Sequence, residues 1–203
     1  WQRRNSTVKR LGASKILGLA LGQRSVCLAE VATRDGRPVV ERAAEFVYPD
    51  GVTLENPAGL GQALRQFLRA QGFGVHEAVI GLPAKWLVTR RKEVPPASAA
   101  LAASTLRLQA EGEFADLVID YAGATSATAA TTVLLVATAR KQVAGCESLA
   151  TAAGLRLHAV AATALALGRV TARLAGPTGL VLETGAEGAE LVVVLLATAV
   201  MAA

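Results

Sequence analysis

Two stretches of this chain repeat one pattern, an apolar strand, a glycine turn and a returning apolar strand, and that repetition constrains the fold more than any single motif. The first runs from Lys15 to Leu21, turns at Gly22 and returns from Ser25 to Val31. The second runs from Leu180 to Glu183, turns between Gly185 and Gly188 and returns from Ala189 to Leu196. Strand-like and helix-like segments alternate between them, so the expected class is α/β. A length of 203 residues with 52% hydrophobic side chains supplies material for one sizeable core or two small ones.

The pattern along the chain fills in that frame. Arg34-Asp35-Gly36-Arg37-Pro38 is turn chemistry, and Val39 to Tyr48 makes a third strand, so the opening reads as an antiparallel meander. Asn56-Pro57 sets a cap before a first-turn proline. Leu60, Leu64, Phe67 and Leu68 then share a helix face that ends at Gly72 and Gly74. Ala78 to Leu82 and Trp86 to Val94 are strands closed by prolines, and a change of domain is expected after Pro95-Pro96. Ser98 to Phe114 predicts a helix with Leu101, Leu106 and Leu108 as its apolar residues. Leu117 to Tyr121 and Thr131 to Ala137 predict a strand pair joined by a small polar loop. Arg140 to Ala153 is a helix stopped by Gly154, followed by a strand from Leu155 to Val160 and a helix from Ala161 to Leu174.

Charge and cysteines exclude several function classes. The whole formal charge of +5 resides in a basic arm, where residues 1 to 15 hold Arg3, Arg4, Lys9, Arg10 and Lys15 with no acid. Such an arm attracts acidic lipid or nucleic acid, but a 4% aromatic content and the absence of a basic stripe argue against a nucleic-acid binder. Cys27 and Cys146 form no disulfide framework and read as buried small residues of a reducing compartment. The start of the chain lacks the apolar run of a secretory signal, which places it in the cytoplasm. The longest apolar stretch, Leu191 to Ala203, is 13 residues against the roughly 20 that a spanning helix needs. It reads as a strand followed by a helix start or a cut end. No phosphate-binding Gly-x-x-x-x-Gly-Lys segment, zinc-spaced Cys/His cluster or Gly-x-Ser-x-Gly elbow occurs. His76 and His158 stand alone as structural histidines, and Asp116 and Asp120 read as a cap and a solvated strand residue.

Ile16-Leu17-Gly18-Leu19-Ala20-Leu21-Gly22 with Ser25-Val26 resembles the first phosphate loop of the actin and sugar-kinase superfamily, and Leu182-Glu183-Thr184-Gly185 resembles the second. Glu93-Val94-Pro95-Pro96, Gln109-Ala110-Glu111, Val118-Ile119-Asp120-Tyr121 and Ala152-Ala153-Gly154-Leu155 point within it to the PilM branch. So do Leu135 to Arg140 and Ala164-Leu165-Ala166-Leu167 with Arg169, and the likeness extends over about Lys15 to Leu196. The resemblance implies an actin-like (ribonuclease H-like) domain with a small inserted αβ subdomain, followed by the start of a second actin-like domain. Its expected divisions are the arm 1–14, subdomain 1A at 15–85 plus 155–175, an inserted subdomain 1C at 86–154, and the incomplete second domain at 178–203. That last segment, with Trp and not Met at position 1, makes the chain read as a fragment.

The same resemblance supplies the functional expectations. Nucleotide contacts, if retained, would fall on Gly22, Gln23, Ser25, Glu183, Gly185 and Gly188. The family's first-loop acid is replaced by Ala20 and its lysine by Cys27, while Glu187 and Glu190 add negative charge to the second loop. ATP with magnesium therefore stays open only for a complete parent protein, and no catalytic residue or metal site is expected. The implied role is a cytoplasmic scaffold, peripheral at the inner membrane, that binds the N-terminal tail of a PilN-like membrane protein. Trp86, Arg90 and Arg91, on the strand entering the inserted subdomain, are the candidate anchor and charges. Self-association stays open as a second contact, and the membrane is met only through partners or the basic arm. The alternatives within this likeness are the cytoplasmic part of a GspL-like type II secretion protein and an ATP-binding FtsA-like filament protein.

Overall fold

The computed structural model describes residues 15–113, 116–174, 176, 178–185, 188–195 and 198–202. The basic arm 1–14 and Glu187 lie outside the described residues. The chain divides into two compact units: Gln2–Pro83 with Lys141–Thr163, and Ala84–Arg140 with Ala164–Ala203.

In the first unit, β1 (Lys15–Leu21), β2 (Ser25–Arg34) and β3 (Arg37–Val47) form the expected antiparallel meander, joined at β1 by β4 (Glu77–Leu82) and beyond it by β8 (Arg156–Ala162). The order is β3-β2-β1-β4-β8, with β4 parallel to both β1 and β8. Strand alternation sends Leu17, Leu19, Leu21, Val26, Leu28, Ala78, Ile80 and Leu82 to one buried face. Cys27 falls between Val26 and Leu28 and therefore points to the other face, where it is exposed, contrary to the expected burial.

Helices α1 (Pro57–Ala70) and α3 (Arg140–Ala153) supply the rest of this core. Asn56 caps α1 by accepting from the Gly59 amide at 3.0 Å, and Leu60, Leu64 and Leu68 are buried. Burying each such leucine contributes about 1.5–3 kcal/mol. Both helices end in one motif. Gly72 and Gly154 adopt left-handed backbone, and the amides of Phe73 and Leu155 return to the carbonyls of Leu68 and Ala150 at 2.9 and 2.8 Å. Arg42 secures the end of α1 from β3, donating to the Gln71 carbonyl at 2.5 Å and lying 5.5 Å over the Phe73 ring.

The second unit holds two three-stranded sheets. In one, β5 (Val88–Val94), β7 (Thr131–Ala139) and β6 (Leu117–Ala122) are antiparallel in the order β5-β7-β6. Helix α2 (Ala99–Glu113) joins this sheet in a core of Val94, Ala102, Leu106, Val133 and Leu135. Of the apolar residues expected in α2, Leu106 is buried while Leu101 and Leu108 are exposed, at 58% and 71%, because Ala102 and Leu106, one turn apart, face the sheet. The other sheet, β11-β10-β9, contains β9 (Gly179–Gly185), β10 (Gly188–Leu195) and β11 (Thr198–Ala202), and Val181 of β9 packs with Ala164 and Leu167 of α4 (Thr163–Leu174). β11 stands where the sequence reading expects a helix start or a cut end. A third antiparallel strand satisfies the backbone groups on the free edge of β10, a tertiary gain that local alanine content does not reveal.

Two substitutions test the first core. A Cβ at Gly61 would stand 2.4 Å from the Leu149 carbonyl oxygen and 2.7 Å from the Ala152 Cβ, so Gly61→Ala is expected to cost about 1–3 kcal/mol in denaturant unfolding. Burial pushes the Cys146 thiol up from 9.0 to about 12. A folded-state pKa above the unfolded one means stability that is full below about pH 9 and lost as the pH rises toward 12. The loss approaches about 1.4 kcal/mol per pH unit. Cys146→Ala should remove this component, so unfolding midpoints of wild type and variant converge between pH 9 and 11; parallel curves would refute it.

Candidate functional site

The first glycine turn is built by β1 and β2. Ala20 pairs with Cys27 and Leu21 with Val26, and the Gly22 amide donates to the Ser25 carbonyl at 2.8 Å to close the chain reversal. From the end of β3, the Tyr48 hydroxyl donates to the Gly22 carbonyl at 2.9 Å and the Tyr48 amide to the Arg24 carbonyl at 2.9 Å. Phe46 holds that end of β3 in place, its ring centroid 5.0 Å from Phe67 and 6.1 Å from Tyr48. Both backbone polar groups of Gly22 are thus engaged inside the protein. An amide that already closes a turn is not directed at a phosphate, which removes one of the donors that the resemblance implies. Gln23 is exposed and Ser25 half-buried at the same turn. Tyr48 escaped the sequence reading. Its position just past a strand end and its phenol were the available signal.

The register also juxtaposes the two substituted loop positions. Ala20 and Cys27 stand directly opposite each other across β1 and β2, where the family's acid and lysine would be cross-strand neighbours. Here an alanine and a cysteine stand in their place. At the second turn Gly185 pairs with Gly188, Thr184 with Ala189 and Glu183 with Glu190. The first turn lies in the first unit and the second in the other.

The three candidate partner residues do not form one patch on a strand. Trp86 ends a short 3₁₀ turn, Ala84–Trp86, ahead of β5, and its carbonyl accepts from the Thr138 hydroxyl at 3.0 Å. This corrects its expected place on the strand, since the chain must turn between Pro83 and Val88 before it can pair with β7. Arg90 and Arg91 are both exposed, but successive strand residues face opposite sides. Arg90 pairs with Leu135, on the α2 side of the sheet, and Arg91 with Leu134, on the other.

Other charged groups are arranged as structural clamps. Lys15 pairs with Glu41 at 2.5 Å and Glu30 at 3.3 Å, and Arg34 with Glu41 at 2.5 Å, tying β1, β2 and β3 together. Hydrogen bonds from Lys15 and then Arg34 hold Glu41 below the usual carboxylate range, and Glu41 and then Glu30 raise Lys15. His158, expected to stand alone, contacts Glu77, which Arg156 also holds from β8. The register between β4 and β8 shifts after Ala78 opposite Leu157, and His158 is the residue left without a partner on β4. Among the described residues no His, Cys, Asp and Glu group has the makings of a metal site, and no helix is long and apolar enough to cross a membrane.

With this geometry in hand, the solved structures decide the fold. A chain of the PilM–PilN type IV pilus biogenesis complex matches 91% of this chain with a TM-score of 0.76 at 24% identity. The chain has a PilM-like, actin-like fold. The cytoplasmic domain of EpsL, an inner-membrane component of the type II secretion system of Vibrio cholerae, shares the fold over 93% of this chain with a TM-score of 0.61 at 17% identity. This chain spans 59% of the length of the matched PilM–PilN chain and 71% of the EpsL domain. No family model and no curated protein matches the sequence.

Within the PilM-like fold, the paired positions of Ala20 and Cys27 allow a direct test of the nucleotide loop. Ala20→Asp with Cys27→Lys should fold, because the new side chains are directly opposed and of opposite sign. It should still bind Mg-ATP no tighter than millimolar by calorimetry, since the Gly22 amide stays engaged with the Ser25 carbonyl. Micromolar affinity would show that two side chains are all the loop lacks.

Proposed function

We propose that this chain acts as an assembly scaffold of a type IV pilus or related secretion machine, stationed at the inner membrane through its partner and working without ATP hydrolysis. The observation that carries the reading is the likeness, over 91% of the chain, to a component of a complex between PilM and PilN. The first turn supports the second half of it. Its glycine amide is committed at 2.8 Å to the protein's own carbonyl, and the pair opposite each other beside it, Ala20 and Cys27, holds neither a carboxylate nor a lysine.

The partner on this reading is the N-terminal tail of a PilN-like inner-membrane protein. An extended tail is recognised by backbone hydrogen bonds and a few side-chain pockets, a mode that needs no nucleotide. A synthetic peptide of such a tail should bind the folded chain by calorimetry with a Kd in the micromolar range, about −8 kcal/mol. Absence of binding to a well-folded sample would sink the partner assignment.

A GspL-like role in type II secretion is the second reading, favoured by the EpsL match and by that domain's larger covered share of 71%. Peptides from the cytoplasmic partners of each system, compared in one titration, separate the two.

A further inference from the structure

We propose that Asp50–Gly51 is a site of spontaneous covalent modification, where the aspartyl link converts to an isoaspartyl link in the folded protein, while the hairpin protects the chemically identical Asp35–Gly36. This inference depends on neither reading of the function. Of Asp35, Asp50, Asp116 and Asp120, only the first two precede glycine. A following residue without a side chain is what lets its amide nitrogen come up to the aspartyl carboxyl.

The reaction is an internal acyl transfer. The glycine amide nitrogen attacks the carboxyl carbon, its proton leaves with the carboxyl hydroxyl as water, and a cyclic imide forms. Water then adds to either imide carbonyl. Breaking the bond from nitrogen to the main-chain carbonyl routes the backbone through the side-chain carbons, which is the isoaspartyl link. Breaking the other bond restores aspartate. Water is the only species released and consumed.

Both pairs meet the chemical requirement. Asp35, Gly36, Asp50 and Gly51 are all exposed, and a Cβ at either glycine would meet nothing within 4 Å. The difference is the freedom of each aspartate to rotate about its Cα–C bond, the motion that brings carboxyl and amide together. Asp35, with φ 51°, and Gly36, with φ 75°, form a two-residue hairpin turn. Directly behind it Arg34 pairs with Arg37 and Thr33 with Pro38, and Arg34 is also tied to Glu41 at 2.5 Å. Rotating Asp35 therefore means opening the ladder between β2 and β3. Asp50 has a strand on one side only, since β3 ends at Val47 and α1 does not begin until Pro57. Its turn is closed by the Val52 amide, which donates to the Pro49 carbonyl at 3.0 Å, with Gly51 at φ 76°. Releasing one turn hydrogen bond is a smaller opening than unzipping a ladder. The product inserts a methylene into the main chain between Tyr48, which holds the first glycine turn, and the Asn56 cap of α1.

The test is ageing of the full chain at neutral pH in water enriched in oxygen-18. After digestion in ordinary water, mass spectrometry with electron-transfer fragmentation separates isoaspartate from aspartate at each site. Every passage through the imide fixes one heavy oxygen at that residue. In the folded chain, label and isoaspartate should accumulate about ten-fold faster at Asp50 than at Asp35. In guanidinium chloride the two sites should label at equal rates, because only the fold distinguishes them. Equal labelling in the folded chain, faster labelling at Asp35, or a difference that persists in denaturant would each overturn the proposal. So would an unlabelled Asp50 in the folded chain after the time in which the unfolded chain labels. None of these outcomes bears on tail binding measured by calorimetry.

Discussion

Strand β1 is hydrogen-bonded along both edges, antiparallel to β2 and parallel to β4, while Leu17, Leu19 and Leu21 are sealed beneath it. A strand in that position has no freedom of register. A slip of one residue would expose three leucines and bury Gly18 and Ala20 in their place, at a cost of several kcal/mol. The hairpin turn at Gly22, the alignment of β3 through Tyr48 and the direction of β4 all follow from where β1 is held. Helices α1 and α3 then close on that buried face, as near to each other as the missing Cβ of Gly61 allows.

The same constraint shapes what the first turn can do. Its backbone serves the hairpin: one Gly22 group closes on Ser25 and the other receives Tyr48. Across the hairpin the register sets Ala20 opposite Cys27, and in the other unit it sets Glu183 opposite Glu190. The pairing that fixes β1 is satisfied entirely within its own sheet.

Much of this was legible in advance where the deciding interaction is local. Asn56 before Pro57, the glycines at 72 and 154, and the leucine spacing in α1 each act within one helical turn, so their residues announce them. The meander was readable from alternation and from the turn at Asp35-Gly36. Where the reading missed, the decision came from residues distant in the chain. The face that α2 buries was set by the sheet it meets, which chose Ala102 and Leu106 over Leu101 and Leu108. The last strand formed because β10 offered an edge, and the Glu77 contact of His158 follows from a register shift between two strands nearly eighty residues apart.

The sequence by itself determined the α/β class, the order of the elements, the caps and the repeated strand-turn-strand starts, because periodicity, proline and glycine act through bonds and near neighbours. The tertiary structure alone decided which residues stand opposite one another. β1 lies parallel to β4, Arg90 opposes Leu135, Tyr48 reaches Gly22 and His158 meets Glu77. Pairing between strands is a long-range choice, settled by which faces can be buried together and which backbone groups remain to be satisfied. No window of sequence contains both partners of such a choice.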